Sequence, residues 1–255
     1  MLWRNSGGTL IKPISPANSS KAPPHTRLKF DGVAVVRQFL DADDLKSLAQ
    51  LVENTYKLMS LAQIPDAEMA DNFKRWNGVW LQPLPDFLNK SGSNSLVDVY
   101  GRLVSTISQR TRHLFGYAWR FYPQRSFMRR QVGGATVPWH IDADAAGIGR
   151  SQSINVWLPL DTVGSRLPSL DVIPASHKKM RTLALTRDRV YRDDTFAASF
   201  GSTVTPILDP GDALVFDQFT LHRTQHSAAS DFTRTSCEFR FIKMPMWRRS
   251  FWTKS

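Results

Sequence analysis

Apolar residues change their spacing near Gly116. Before it, Leu45, Leu48, Leu51 and Val52 follow Asp41 and Asp43, and Leu96, Val97, Tyr100, Leu103, Val104, Ile107 and Leu114 follow Ser93 and Asn94. Positions three and four apart mark one helical face, and a short polar residue ahead of them can accept the first unpaired backbone N–H groups. The spacing predicts one helix capped by Asp41 or Asp43 and ending near 58 or 61. It predicts a second over 95–115, capped by Ser93 or Asn94 and braced against the outside of a sheet. Between them, 66–90 reads as irregular, with Pro83, Pro85, Phe73, Trp76, Trp80 and Phe87.

After Gly116 the period becomes two. Candidate strands cover 118–122, 126–131, 136–141, 152–158, 169–173, 204–207, 213–216, 219–223 and 235–242, joining an earlier β-favouring run at 32–36. Many short strands parted by Pro, Gly and Asp predict a closed or sandwiched antiparallel sheet, mainly β with flanking α-helices. Asp209-Pro210-Gly211-Asp212 has the composition of a tight turn and delivers the strand that leads to His222. Residues 1–28, rich in Pro, Ser, Gly and Lys, read as a flexible arm ahead of a single domain over 29–255. Residues 180–202 interrupt the pattern and read as an active-site lid or a surface loop.

Composition narrows the partners. No stretch approaches the eighteen apolar residues of a membrane span, and no apolar run follows Arg4, so neither membrane insertion nor a secretory signal is expected. A single cysteine, Cys237, excludes an internal disulfide framework and fits a reducing, cytoplasmic setting. The formal net charge of +11 favours anionic partners. No helix-turn-helix, zinc-finger or aromatic RNA-binding pattern accompanies it. Nucleic acid is therefore not the expected partner, and the charge reads as surface chemistry or attraction of a small acidic substrate. Oligomeric state is not legible.

His140-Ile141-Asp142 carries the chemistry. On a strand, His140 and Asp142 would share a face opposite Trp139 and Ile141, and a buried imidazole and carboxylate need a partner such as a divalent ion. Asp144 competes as the carboxylate. The third ligand would come from a distant strand, where spacing leaves His222 and His226 both open, with His222 nearer the apolar run 219–221. Two imidazoles and one carboxylate on one face of a metal leave three positions free, the arrangement of non-haem Fe(II) oxygenases. On the last strand, Arg234, Ser236, Glu238 and Arg240 form one face, while Thr235, Cys237, Phe239 and Phe241 form the other, expected beneath the helices. A guanidinium at Arg234 matches a carboxylate ligand bidentately, or else pairs with Glu238. Alternation turns only one of Arg129 and Arg130 inward. Arg130, with Trp76 and Trp80, is assigned to the substrate.

These segments occur in the order seen in a known family. Asp31-Gly32-Val33-Ala34-Val35-Val36, Trp139-His140-Ile141-Asp142, Asn155-Val156-Trp157-Leu158-Pro159-Leu160, Ile173-Pro174-Ala175-Ser176-His177, Pro210-Gly211-Asp212-Ala213, Leu221-His222-Arg223-Thr224 and Arg234-Thr235-Ser236 together resemble the phytanoyl-CoA dioxygenase-like family of Fe(II)/2-oxoglutarate oxygenases over about 31–242. The resemblance implies a double-stranded β-helix (jelly-roll, cupin-like) in which His140, Asp142 and His222 hold iron, setting His226 aside. It implies that Arg234 grips 2-oxoglutarate, with Thr224, Trp157 and Asn155 beside it, and that dioxygen is the second cosubstrate. The intact carboxylate at Asp142 favours hydroxylation over halogenation. The expected function is hydroxylation of a small metabolite, acidic or carrier-bound. The competing readings are a non-enzymatic ligand- or protein-binding barrel and a nucleic-acid demethylase. Gly164 stands where the family has a glycine, and the following Ser165-Arg166-Leu167-Pro168 is an unusual filling.

Overall fold

The computed structural model describes residues 3–4, 10–11, 22–61, 64, 66–133, 136–144, 152–186, 193–226 and 231–243. Two short strands, β1 (Trp3–Arg4) and β2 (Leu10–Ile11), precede α1 (Pro24–Asp31), β3 (Val33–Val36) and α2 (Ala42–Leu61). Then come α3 (Ala67–Trp76), β4 (Gly78–Trp80), α4 (Leu84–Lys90) and α5 (Asn94–Phe115). The β-rich part follows with β5 (Trp119–Phe121), β6 (Phe127–Val132), β7 (Ser153–Pro159) and β8 (Leu170–Val172). After α6 (Ser176–Thr186) and α7 (Asp194–Ala198) come β9 (Thr205–Pro206), β10 (Ala213–Asp217), β11 (His222–Thr224) and β12 (Thr233–Lys243). The fold is a mixed α/β one, and among the described residues the helices hold more residues than the strands, which corrects the expectation of a mainly β chain.

The strands form a seven-stranded antiparallel sheet in the order β3-β10-β7-β12-β6-β4, with β5 added along β12, and a small β11-β8 sheet. A third sheet runs β2-β1-β9. Alternation sorts the large sheet into two faces, as period-two side chains must. Met128, Ile154, Val156, Leu158, Val215, Cys237, Phe239 and Phe241 pack beneath α2, α4 and α5 with Leu48, Leu51, Leu84, Leu88, Leu103 and Ile107. On the other face, Val33, Val35, Trp157, Leu214 and Phe216 meet Leu170 and Val172 of the small sheet. Thus β12 turns its apolar residues to the helices and its polar ones to the space between the sheets.

Helix α2 starts where expected. The Asp41 carboxylate, not that of Asp43, accepts the Asp44 N–H at 2.9 Å. Ser93 precedes α5 without a side-chain cap bond. The stretch 66–90 is ordered where irregularity was expected. Asp66 accepts the Met69 N–H at 2.7 Å and caps α3, while Pro83 and Pro85 flank the start of α4. In a first turn proline forfeits only an N–H that has no helical partner, so these prolines start a helix rather than break one. Helix α1 crosses the expected arm boundary at 28, and 1–2, 5–9 and 12–21 lie outside the described residues.

The predicted strand 136–141 is a single-residue bridge, His140 to His222. Pro138 has no N–H to offer a ladder, and Asp142 already begins a short 3₁₀ turn, Asp142–Asp144, so pairing cannot spread either way. Helices α6 and α7 take up much of 180–202. They pack Met180, Ala197 and Phe196 behind Trp139, Ile141, Phe219 and Leu221. The described part of this segment is therefore a buttress for the ligand-bearing chain, and 187–192 lie outside the described residues. Gly164 has φ +84°, and a Cβ there would press into the Pro206 carbonyl, so the backbone itself requires glycine.

Candidate active site

His140 and His222 face each other across the bridge with both hydrogen bonds made: His140 N–H to the His222 carbonyl at 2.9 Å and His222 N–H to the His140 carbonyl at 3.1 Å. This brings their ring centroids to 4.1 Å. Ser176 fixes the approach to His222 by accepting the Leu221 N–H on its hydroxyl at 2.9 Å while donating to the Ile173 carbonyl at 2.6 Å. That gives the Pro-Ala-Ser-His segment a structural task. The Ala143 N–H donates to the Gln218 carbonyl at 3.0 Å and holds the turn that swings Asp142 toward both rings.

One ligand atom each from His140, Asp142 and His222 lies within 4.8 Å of the others, and the described residues hold no other cluster of three such ligands. The rings are already prepared for a metal. His140 Nδ1 donates to the Pro138 carbonyl at 2.8 Å and His222 Nδ1 to the Thr220 carbonyl at 2.9 Å. A carbonyl can only accept, so Nδ1 carries the proton in both rings and both Nε2 lone pairs are left for a cation. Burial, and then His140, push the His222 pKa down to about 3, so its imidazole is neutral across the physiological range. Burial alone would raise Asp142, but Arg240, His222 and His140 outweigh it and hold the carboxyl below its usual range. The donor set fits a divalent ion of the non-haem iron type. His226 is exposed and outside the cluster, and the side chain of Asp144 lies outside the description.

The sequence reading missed what holds Asp142. Arg240 Nη2 pairs with its Oδ2 at 2.9 Å, and Asn155 Nδ2 lies 3.4 Å from the same oxygen. Oδ1 is left on the histidine side, 3.9 Å from His222 Nε2. Asn155 also donates to Glu238 at 2.9 Å. Strand parity puts Arg240 on the polar face of β12 with Arg234, but it does not name Asp142 as its partner. Arg240→Met is expected to weaken Fe(II) affinity about 10- to 100-fold, the usual effect of losing a partner behind a ligand. Anaerobic metal titration checks it, and unchanged affinity would make Arg240 a mere wall of the cavity.

A chamber of about 330 Å³ opens from the three ligands, lined among others by Trp80, Arg125, Phe127, Arg129, Thr224, Arg234, Glu238 and Arg240. Arg234 is 2% exposed and forms no ion pair within the described residues, which removes the alternative of a bridge to Glu238. Its Nη1 donates to the Pro168 carbonyl at 2.9 Å and the Ser169 carbonyl at 3.3 Å, its Nε has no partner, and its guanidinium lies 5.3 Å from the Trp157 ring. Burial pushes its pKa down to about 10, so it stays charged at neutral pH. A buried cation held by carbonyls and lacking a carboxylate is prepared for an anionic ligand. The unusual Pro168 therefore supports this arginine through its carbonyl.

The remaining candidates divide between the chamber wall and its surroundings. Trp157 and Asn155 do not line the chamber: Trp157 supports Arg234, and Asn155 supports Asp142 and Glu238. Arg130 points away, pairing with Glu53 of α2 at 2.6 Å over the Tyr56 ring, and Arg129 is the inward residue of the pair. The parity follows Met128, which belongs to the helix-side core. Trp80 lines the chamber. Trp76 is 60% exposed and borders an outer hollow that shares Trp80, Phe127, Arg129 and Val137 with the chamber. Thr224 is on the wall, its hydroxyl accepting the Val137 N–H at 3.2 Å. Arg125, in a 3₁₀ turn, carried no signal in the alternation.

Two sheets meeting around a 2-His-1-carboxylate triad define a metalloprotein of the facial-triad class. The chain belongs to the phytanoyl-CoA dioxygenase (PhyH) family, whose model matches residues 28–236, and with that triad it is a non-haem iron, 2-oxoglutarate-dependent dioxygenase by class. Among solved structures, AviO1 from Streptomyces viridochromogenes Tue57 is similar at TM-score 0.61 and 17% identity, over 91% of this chain and 99% of that one. EvdO2 from Micromonospora carbonacea var. aurantiaca, complexed with 2-oxoglutarate, is similar at 0.57 and 17%, over 92% and 94%. EctD from S. alaskensis, with 2-oxoglutarate and 5-hydroxyectoine, is similar at 0.59 and 18%, over 91% and 81%. At these identities the likeness shows the fold alone. A search of curated protein sequences returns no match. Among the described residues no helix is long and apolar enough to cross a membrane.

Proposed function

We propose that the protein is an Fe(II)/2-oxoglutarate-dependent hydroxylase of a small metabolite, with the two facing sheets acting as the walls of a double-stranded β-helix. The observation that carries this reading is the pairing of one preformed metal cluster with one buried, counter-ion-free guanidinium in the same chamber. His140, Asp142 and His222 would hold iron, which supplies activation of dioxygen coupled to decarboxylation of 2-oxoglutarate. Arg234 would bind the distal carboxylate of 2-oxoglutarate, Thr224 standing beside it and Trp157 stiffening the guanidinium from behind. Arg240 and Asn155 keep the Asp142 carboxylate in one orientation. Ile141, Leu170 and Phe216 give the chamber an apolar wall that excludes water from the reacting C–H bond.

Asp142 occupies the position that a halide would need, so hydroxylation is preferred to halogenation. A binding-only barrel would have no use for two histidines whose Nδ1 protons are committed to carbonyls. The test is mass spectrometry with ¹⁸O₂ and a metabolite panel. One labelled oxygen in the product and one succinate per coupled turnover are expected. Consumption of substrate without decarboxylation of 2-oxoglutarate would refute the reading.

A further inference from the structure

The chamber has more positive charge than iron chemistry uses. Four guanidinium groups line it, from Arg125, Arg129, Arg234 and Arg240, against the carboxylates of Asp142 and Glu238. Arg240 is matched by Asp142 at 2.9 Å. On the reading above, Arg234 is matched by one carboxylate of 2-oxoglutarate, and the other carboxylate offsets half the charge of a divalent metal. What remains is Arg125, Arg129 and one charge of the metal against Glu238, a formal surplus of about two positive charges in a partly desolvated space. Such a surplus is costly unless an anion enters.

The remaining geometry agrees. Neither Arg125 nor Arg129 forms an ion pair within 4 Å among the described residues, and Arg129 Nε is buried with no hydrogen-bond partner. Trp80 Nε1, on the same wall, is a second buried donor without a partner. Trp80 and Phe127 stack edge to face, with centroids 5.3 Å apart, and the Arg129 guanidinium lies 5.0 Å from the Phe127 ring. This wall therefore offers an apolar platform with cationic and N–H donors at its margin. About 330 Å³ is near the lower end for a ligand site and must also hold the cosubstrate. Much of a substrate would then extend into the adjoining hollow of about 230 Å³ bounded by Trp76, Trp80, Phe127 and Val137.

We propose that the substrate is a small molecule with an anionic group, a carboxylate or a phosphate, held by Arg125 and Arg129, and an apolar body lying on Trp80 and Phe127. This rests on the dioxygenase reading and names its substrate class. Glu238, facing the same space, disfavours a second negative group near Asn155 and so limits the substrate to one anionic end.

The test is anaerobic calorimetry on the Fe(II)·2-oxoglutarate protein with matched probes: 3-phenylpropionate and octanoate, their primary amides, the corresponding amines, and phenyl and octyl phosphate. Binding of the acids or the phosphates at least tenfold tighter than that of the amides is expected, the two anion sets separating carboxylate from phosphate recognition. Arg125→Gln and Arg129→Gln should each remove that preference while 2-oxoglutarate affinity stays within about twofold. Equal binding of acids and amides, preference for amines, or no saturable binding by any anion overturns the proposal, and these comparisons on the unaltered protein need no variant to fold. If Arg129→Gln instead weakens 2-oxoglutarate, Arg129 belongs to the cosubstrate and the proposal falls. Failure of the unaltered protein to bind 2-oxoglutarate at all would strike the dioxygenase reading.

Discussion

Arg234→Ala is expected to weaken 2-oxoglutarate binding by two to three orders of magnitude while Fe(II) affinity stays within about threefold. The guanidinium is almost wholly buried, and among the described residues its only hydrogen-bond partners are the carbonyls of Pro168 and Ser169. Neither carbonyl offers a charge, so the site has already been desolvated without the compensation of an ion pair. Removing one member of a buried charge pair costs about 3–5 kcal/mol, and every 1.4 kcal/mol is tenfold in affinity. Arg234→Lys should recover only part of the loss, because an ammonium cannot offer two parallel donors or stack on Trp157. Calorimetry with and without Fe(II) separates the two affinities. Unchanged 2-oxoglutarate binding would leave Arg234 a structural brace for the Pro168–Ser169 turn.

The two faces of β12 were legible in the chain because strand alternation is strict, and Arg234 and Cys237 fell on the faces that parity requires. The same parity on β6 leaves Arg129 and Arg130 ambiguous. Which is inward depends on Met128 entering the helix-side core, a fact of packing rather than of period. His140 and Asp142 were correctly grouped for the wrong local reason. Their shared direction comes from a one-residue bridge followed by a 3₁₀ turn, not from a strand, because Pro138 prevents the ladder from extending. Helices α3 and α4 both lie inside the stretch 66–90 that reads as irregular; Pro83 and Pro85 belong to the start of α4, where proline is permitted. Arg125 lies in a turn with no periodic signal, and the Arg240–Asp142 pair joins residues nearly a hundred positions apart. Contacts of that kind become visible only when the sheet is assembled.

His222→Ala is expected to lower Fe(II) affinity on the order of 10²–10³-fold, with His226→Ala behaving like the unaltered protein. The three donors are gathered within 4.8 Å with both Nδ1 protons engaged, so each ligand is presented without further reorganisation. Losing one ligand removes its share of a binding energy that in four-ligand structural sites totals roughly 10–16 kcal/mol. His226 is exposed and four residues further on, roughly 13 Å along an extended chain, beyond reach of the same ion. The metal-free protein supplies an independent readout. His222 has a pKa of about 3 in the fold against 6.5 when unfolded. Between those values the unfolded chain takes up a proton that the folded chain refuses, so stability falls as pH drops from 6.5 toward 3. Urea midpoints across that range should decline in the unaltered protein and decline less in His222→Ala. A variant that keeps both the metal affinity and the full acid sensitivity would remove His222 from the triad.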